Sequence, residues 1–472
     1  MANNQMTLVE KNASWGLGVV FSLRMLGLFM VLPILTTYGD TLNGANETLT
    51  GLAIGIYGIT QAFFQIPFGL LSDRFGRKPL IISGLSIFTI GSIIAAITHS
   101  IWGVIFGRAL QGAGAISGTI MALLSDLLSE ENYTKVITFL GISFGITFSL
   151  AIVLGPVITQ ALGLQELFWI IAILTIISIT IMRFIVPSPS KCTLNRESSL
   201  VTSSIRHVIS NVHLMKLNVS VFFLHALLMS NFLGIPKKFI KSGLSADEHW
   251  KIYLFTMLIA LAITAPLLIY AERKRQMKKV FILSIGCVLG VESIFWIIER
   301  PIWPLIASLQ IFFISFTLME AILPSFISKQ SPAGYKGTAM GVYTTSQCIG
   351  VATGGFVSGW VLDNMGSNIL FLSNMLMTLS WFILSLNISE PRYLSTLRFH
   401  LKIKDFMQDP MQLQQFLQKQ DGIFDAWVLP QEESIYVKID LKITNRSAIE
   451  QTISQLKIKS IIHHPVQPNN SK

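Results

Sequence analysis

Charge is what this sequence has least of: 13% of its 472 residues are Asp, Glu, Lys or Arg. A water-soluble domain carries about 25%, so this chain lacks the groups needed to cover a surface of its size in water. Acids are scarcer than bases, 25 against 35, and the formal charge of +10 would suit nucleic acid as a partner. Position excludes nucleic acid, because the basic residues gather between apolar runs rather than along one helical face. Cysteine is also sparse. Cys192, Cys287 and Cys348 stand at wide, unrelated spacings that give neither a disulfide framework nor a zinc pattern. There is no phosphate-binding glycine loop, no nucleophile–base spacing and no metal-ligand spacing. No enzyme, no cofactor, no metal and no ATP-driven pump is therefore expected.

What the chain has instead is apolar length: 51% of it is hydrophobic. A bilayer core about 30 Å thick needs roughly 20 apolar residues per helix. Runs of that kind fall at 14–36, 51–71, 79–98, 101–124, 136–160 and 167–186, then at 214–236, 251–270, 279–298, 302–326, 337–360 and 366–387. The first run is too long for a signal-peptide core and lacks a small-residue cleavage site, so it reads as a retained span. Loops on the side of the N-terminus hold sixteen Lys and Arg against five on the other side, which predicts both termini in the cytoplasm. Lys237, Lys238, Lys241 and Lys251 are the exception.

The two groups of six runs echo each other. After the fourth and the tenth run comes a short polar loop with lysine, then a glycine-rich helix. Duplicated halves suit a carrier whose bundles rock about one central site. From residue 393 the character changes: 18 charged residues in 80, against 42 in the preceding 392. Strand-like stretches at 397–403, 423–429 and 434–443 alternate with helical patterns at 410–419 and 447–456, and 458–462 is a weak last strand. That order suits a split βαβ, ferredoxin-like unit. The expected architecture is an all-α membrane protein of twelve transmembrane helices in two six-helix bundles, 1–186 and 214–390. A cytosolic linker at 187–213 joins them, and a small cytosolic α+β ferredoxin-like domain follows at 393–472.

The stretch GLLSDRFGRKP at 69–79 carries the most information. Gly69 is expected to let two helices approach closely. Asp73 would sit at the membrane edge, facing the positive end of a neighbouring helix. Gly76 allows a tight turn, Arg77 and Lys78 are cationic, and Pro79 suits a first helical turn. Arg77 can reach an acid at the inner end of another span, and Asp126 is the candidate. Such a cluster either braces the helices or latches one conformation until a carboxylate takes up a proton.

These residues resemble motif A of the major facilitator superfamily, matched at Gly69, Leu71 (one position beyond the family's leucine), Asp73, Arg74, Gly76, Arg77 and Lys78. RALQGAGAISG at 108–118 resembles the family's motif B. Gly141, Gly145, Gly155 and Pro156 resemble the antiporter motif of proton-coupled drug exporters, without the doubled glycine after the proline. The equivalent loop of the second half, YAERKRQMKK at 270–279, keeps the charges but has no glycine or aspartate. The whole chain is similar to the YajR-type transporters, which join a drug:proton antiporter body to a C-terminal ferredoxin-like domain. The resemblance implies secondary transport in the bacterial inner membrane, with a small-molecule substrate and protons as partners besides the bilayer.

Charged groups at bilayer depth cost about 2.5–3.5 kcal/mol on insertion scales, so each is a candidate site. Glu320 is the first choice as the proton-titrating acid, with His225 as a relay and Arg108 in proton coupling. Arg24, about 15 Å into the first span at 1.5 Å per residue, would pair with a carboxylate or bind an anionic substrate group. Glu292 is expected to reach the interface. Tyr57, Gln61 and Gln65 share one helical face and, with Asn231 and Gln347, are candidates to line a cavity. For the C-terminal domain, binding of a regulatory ligand and self-association both stay open, and His463 with His464 makes only a weak pair. The leading expectation is proton-coupled efflux of small amphipathic compounds. The alternatives are a carrier of one metabolite, or a transporter-like sensor that signals through the C-terminal domain.

Overall fold

The computed structural model describes residues 6–128, 130–188, 202–390, 394–400, 410–429, 434–439 and 443–444, with Ile449 and Gln451. Fourteen of its helices precede residue 390. The first set is α1 (Leu8–Tyr38), α2 (Glu47–Phe75), α3 (Arg77–Ile97), α4 (Ile101–Ala113), α5 (Ser117–Leu127), α6 (Glu130–Leu162) and α7 (Leu164–Phe184). A short α8 (Thr202–Ser210) leads to the second set. That set is α9 (Val212–Lys241), α10 (His249–Arg273), α11 (Met277–Ile297), α12 (Ile302–Gln330), α13 (Lys336–Met365) and α14 (Ser367–Leu386). Ten of these helices are long and apolar enough to cross a membrane.

In lipid every backbone N–H and C=O must find its partner within the element, which favours uninterrupted helices. Prolines 33, 67, 156, 236, 266 and 324 therefore lie inside helices without ending them. The helices outrun the apolar runs because their ends are capped in the loops. α1 begins at Leu8, where Thr7 and Glu10 form a reciprocal capping box, and Asn46 accepts from the Leu49 N–H at 2.8 Å to start α2.

The expected single span at 101–124 is broken at 114–116 into α4 and α5. At the break the Gly114 carbonyl accepts from the buried Arg24 Nη2 at 3.1 Å, and Gly114 lies against the Gly84 backbone of α3. Within the expected linker at 187–213, α8 forms and packs on α9 and α13.

Residues 74–78 mark one end of the helices, the base; the opposite end is the rim. The two sets meet chiefly through α2 with α13 and α6 with α10. Toward the rim, Gly51, Gly55 and Gly58 of α2 lie against Gly359, Ala352 and Cys348 of α13. A Cβ on Gly55 would stand 2.6 Å from the Ala352 carbonyl, so only glycine permits this approach. Rim ties are the Lys237–Glu47 ion pair, Thr48 Oγ1 to Asp363 Oδ2 at 2.7 Å, and Tyr38 OH to Asp247 Oδ1 at 3.2 Å. There the apolar core runs from one set into the other, through Met30, Ile34 and Ile54 to Leu224 and Leu227. At the base, the first set's core (Leu17, Phe21, Phe68, Ile81, Leu123) is a separate cluster. The sets are joined at the rim and apart at the base.

The close approach expected at Gly69 is therefore absent. A Cβ there would meet nothing within 4 Å, because α2 and α13 touch along their rim halves and separate below them.

The C-terminal domain has β1 (Ser395–His400), α15 (Pro410–Gln418), β2 (Ile423–Leu429) and β3 (Ser434–Ile439) in an antiparallel sheet of order β1-β3-β2. With α15 linking β1 to β2 and β3 between them, this is the split βαβ arrangement. Phe399, Leu413, Leu417, Ala426, Ile435 and Val437 form its core, joined by Ile449. The expected helix at 447–456 is otherwise outside the described residues, as are the strand at 458–462 and His463 with His464. The domain docks on the base of the second set. Lys438 Nζ donates to the Lys329 and Ser331 carbonyls at the end of α12, and Asp425 accepts from the Ala333 N–H at 3.1 Å. Trp427 meets Tyr335 edge-to-face at 5.2 Å and lies 6.2 Å from His207 of α8.

Candidate functional site

At the base, Gly76 turns the chain from α2 into α3 with φ +91° and ψ 146°. The turn aims Arg77 at Asp126 of α5, and the two form an ion pair with side chains 3% and 1% exposed. The partner expected for Arg77 is thus in place. Lys78 Nζ donates to the carbonyls of Val186 at 2.6 Å and Arg183 at 3.2 Å, capping the end of α7. Arg74 is exposed and lies 5.5 Å over the Phe75 ring. The side chain of Asp73 lies outside the described residues, and so does the helix-end contact expected of it.

Within the first set, Arg24 and Arg108 are wholly buried on either side of Tyr57. Arg24 donates to Ser117 Oγ at 3.0 Å, Tyr57 OH at 3.2 Å and the Gly114 carbonyl. Arg108 stacks 4.8 Å over the Tyr57 ring and donates to Gln111 Oε1 at 2.8 Å, which passes the chain to Ser92 at 2.8 Å. No carboxylate touches either arginine among the described residues, so the carboxylate partner expected for Arg24 is not found. Neutral oxygens and two aromatic faces, Tyr57 over Arg108 and Phe88 5.8 Å from Arg24, hold the charges. Gln61 is buried on the same face of α2, and half-buried Gln65 leaves its Oε1 without a hydrogen bond.

The second set brings three of the candidates together from three helices. His225 of α9 faces Glu320 of α12 at 3.5 Å and Gln347 of α13 at 2.7 Å, and Gln347 Nε2 donates to Glu320 Oε1 at 3.4 Å. His225 Nδ1 stands 3.1 Å from the Val221 carbonyl, which can only accept, so the ring proton is assigned to Nδ1. In the neutral ring Nε2 is then an acceptor and takes the Gln347 N–H. A second proton on Nε2 would face Glu320 and force the Gln347 amide to turn. Protonation of this cluster therefore changes a contact between α9, α12 and α13. Phe316 closes it, 5.8 Å from the imidazole.

Glu292 does not reach the interface. It is wholly buried, held by Asn231 Nδ2 at 2.7 Å and Asn374 Nδ2 at 3.4 Å. An apolar-flanked glutamate close to a span end looks exposed by depth, but the direction it points is set by packing of α11 on α14 and α12. The lysine cluster at the rim also has a role that the sequence reading missed. Lys237 ties the sets together, while Lys238, 2% exposed, donates to the Phe295 and Ile298 carbonyls at the end of α11. Their breach of the positive-inside count was the available signal.

Residues 17–355 match the Major Facilitator Superfamily, and residues 398–455 match the YajR YAM domain. Inner membrane transport protein YajR of Escherichia coli (strain K12) is 52% identical over 455 residues, covering 96% of this chain and 100% of that one. An uncharacterized transporter of Buchnera aphidicola subsp. Acyrthosiphon pisum (strain APS) is 45% identical over 350 residues, 74% of this chain and 90% of its own. The solved structure of nucleoside transporter NupG shares the fold, with TM-score 0.62 and 16% identity over 80% of this chain and 99% of that one. The chain belongs to the Major Facilitator Superfamily and is a multi-pass membrane transporter with a C-terminal YAM domain.

Proposed function

We propose that this transporter exports small amphipathic compounds in exchange for protons by alternating access. It does so in the inner membrane, where the name of its Escherichia coli relative places that protein. In this reading α4 with α5 forms one span and α13 another, making twelve, and the base with both termini faces the cytoplasm. The observation that carries it is the buried cluster of His225, Glu320 and Gln347, whose contacts depend on its protonation and join three helices. Arg77 and Asp126 act as the base latch, and Arg24, Tyr57, Gln61, Gln65, Asn231 and Gln347 are assigned to the substrate path. A shorter likeness to the class B tetracycline resistance protein of Escherichia coli, 27% identical over 172 residues, 35% of this chain and 42% of that one, fits a drug-like compound as the cargo.

Proteoliposomes test this with tetracycline and ethidium as probes. With the rim facing an acidified lumen, probe should accumulate inside as protons leave, and an uncoupler should abolish the uptake. Glu320→Gln should lower gradient-driven uptake at least about tenfold, a loss of roughly 1.4 kcal/mol of coupling. Uptake in protein-free vesicles equal to that with protein, or full exchange by Glu320→Gln, overturns the reading.

A further inference from the structure

The second set holds another acid that the Glu320 cluster does not use. Glu292 sits on α11, five residues from its rim end, and every hydrogen-bond partner it has is neutral. Asn231 of α9 donates to Oε1 and Asn374 of α14 to Oε2, while Asn374 Oδ1 accepts the Ser230 hydroxyl at 2.8 Å. The charged and titratable groups on the surrounding helices are otherwise engaged or distant along the chain. On α9, Lys238 gives its ammonium to the Phe295 and Ile298 carbonyls, and His225 belongs with Glu320 of α12. On α10, His249 packs on Phe239, and Tyr253 lines a small, mostly apolar pocket together with Asn231, Leu228 and Phe312. α14 has no titratable side chain.

A carboxylate ion this deep with only neutral partners is costly, whereas a neutral carboxylic acid is not, provided its O–H finds an acceptor. Asn231 supplies one. Its Oδ1 is buried and has no hydrogen-bond partner, while its Nδ2 donates to Glu292. Half a turn of the amide places Oδ1 where Nδ2 now stands. The same side chain then donates to the ion in one state and accepts from the acid in the other.

We propose that Glu292, with Asn231 and Asn374, is a second proton-binding site on the rim side of the second set. Its place complements that of Glu320, which is ten residues from the base end of α12. α9 supplies a partner to each acid, His225 to one and Asn231 to the other, about 9 Å apart along the helix. A proton loaded from the rim meets Glu292 before Glu320. That sequence rests on the proton-coupled reading above; proton binding at Glu292 does not.

Infrared difference spectra of the full-length protein in lipid nanodiscs, titrated over pH with Glu carboxyls labelled by ¹³C, test it directly. The C=O stretch of a protonated carboxyl should contain a component that disappears in Glu292→Gln and persists in Glu320→Gln. A Glu292→Gln titration superimposable on the wild type overturns the proposal. If Glu320→Gln removes nothing while Glu292→Gln removes its component, the proposal stands and the assignment of Glu320 falls. Should Glu292→Gln fail to fold, Asn231→Ala answers the question. Loss of the amide must shift the Glu292 component in frequency, and an unmoved band overturns the site.

Discussion

Two glycines of one motif face opposite constraints. Gly76 has φ +91° with ψ 146°, a region that only glycine occupies without strain. Gly76→Ala is expected to lower stability by about 1–3 kcal/mol, read as a fall in Tm in detergent. Gly69→Ala, with open space around the new methyl, should leave the Tm unchanged or raise it. Beside them, Arg77 and Asp126 form a buried pair, and removing one member of such a pair costs about 3–5 kcal/mol. The losses for Arg77→Ala and Asp126→Ala should therefore sum to more than the loss for the double variant, as a double-mutant cycle of Tm values would measure. Additive losses would show that the two side chains are not coupled. This pair was legible in the sequence, because both residues sit at span ends on the same side, where few opposite charges compete. The contacts of Glu292 were not. They depend on the rotation of α11 against α9 and α14, which no spacing along one chain encodes.

The elements show the same division. Helix positions followed from the apolar runs, since a bilayer leaves the backbone few alternatives. The break at 114–116 did not, because its contact is with Arg24 of another helix, ninety residues away in sequence. The α2–α13 seam was not legible, because no spacing along the chain shows which glycines of α2 meet α13 or at what depth. Gly55 and Gly58 meet the Ala352 and Cys348 carbonyls, and main-chain atoms cannot move aside as side chains can. Gly55→Leu should therefore wedge the rim apart. Thr48 and Asp363 hydrogen-bond at 2.7 Å, so a cysteine placed at each should cross-link readily. The cross-link yield should fall several-fold when Gly55→Leu is added. An unchanged yield would mean that the seam tolerates bulk and that rim closure does not depend on it.

At the scale of the whole molecule, the two sets are joined at the rim and apart at the base, which is the arrangement the proposed alternating access requires of one of its two states. Rim closure rests on the glycine seam, the Lys237–Glu47 pair, the Thr48–Asp363 bond and the Tyr38–Asp247 bond. A partly exposed ion pair contributes about 0–1 kcal/mol, and a neutral-to-charged hydrogen bond about 1.5–3 kcal/mol before solvent screening. Removing two such ties by Glu47→Gln and Thr48→Val should move the equilibrium toward the rim-open state by on the order of 1 kcal/mol, about fivefold. Gly69 reports on that shift. With the rim closed a cysteine there has open space around it, and in the proposed mechanism closing the base would bring α13 toward it. Gly69→Cys should therefore react with a water-soluble maleimide rapidly in the otherwise unaltered transporter, and several-fold more slowly when the two rim substitutions are added. Acidification gives the second arm: if the His225 and Glu320 cluster couples protons to this equilibrium, the labelling rate, divided by that of a free thiol at the same pH, should depend on pH, and Glu320→Gln should flatten that dependence. A rate indifferent to both the rim substitutions and pH would mean that base opening is not linked to the rim, and alternating access between these two sets would fail as their mechanism.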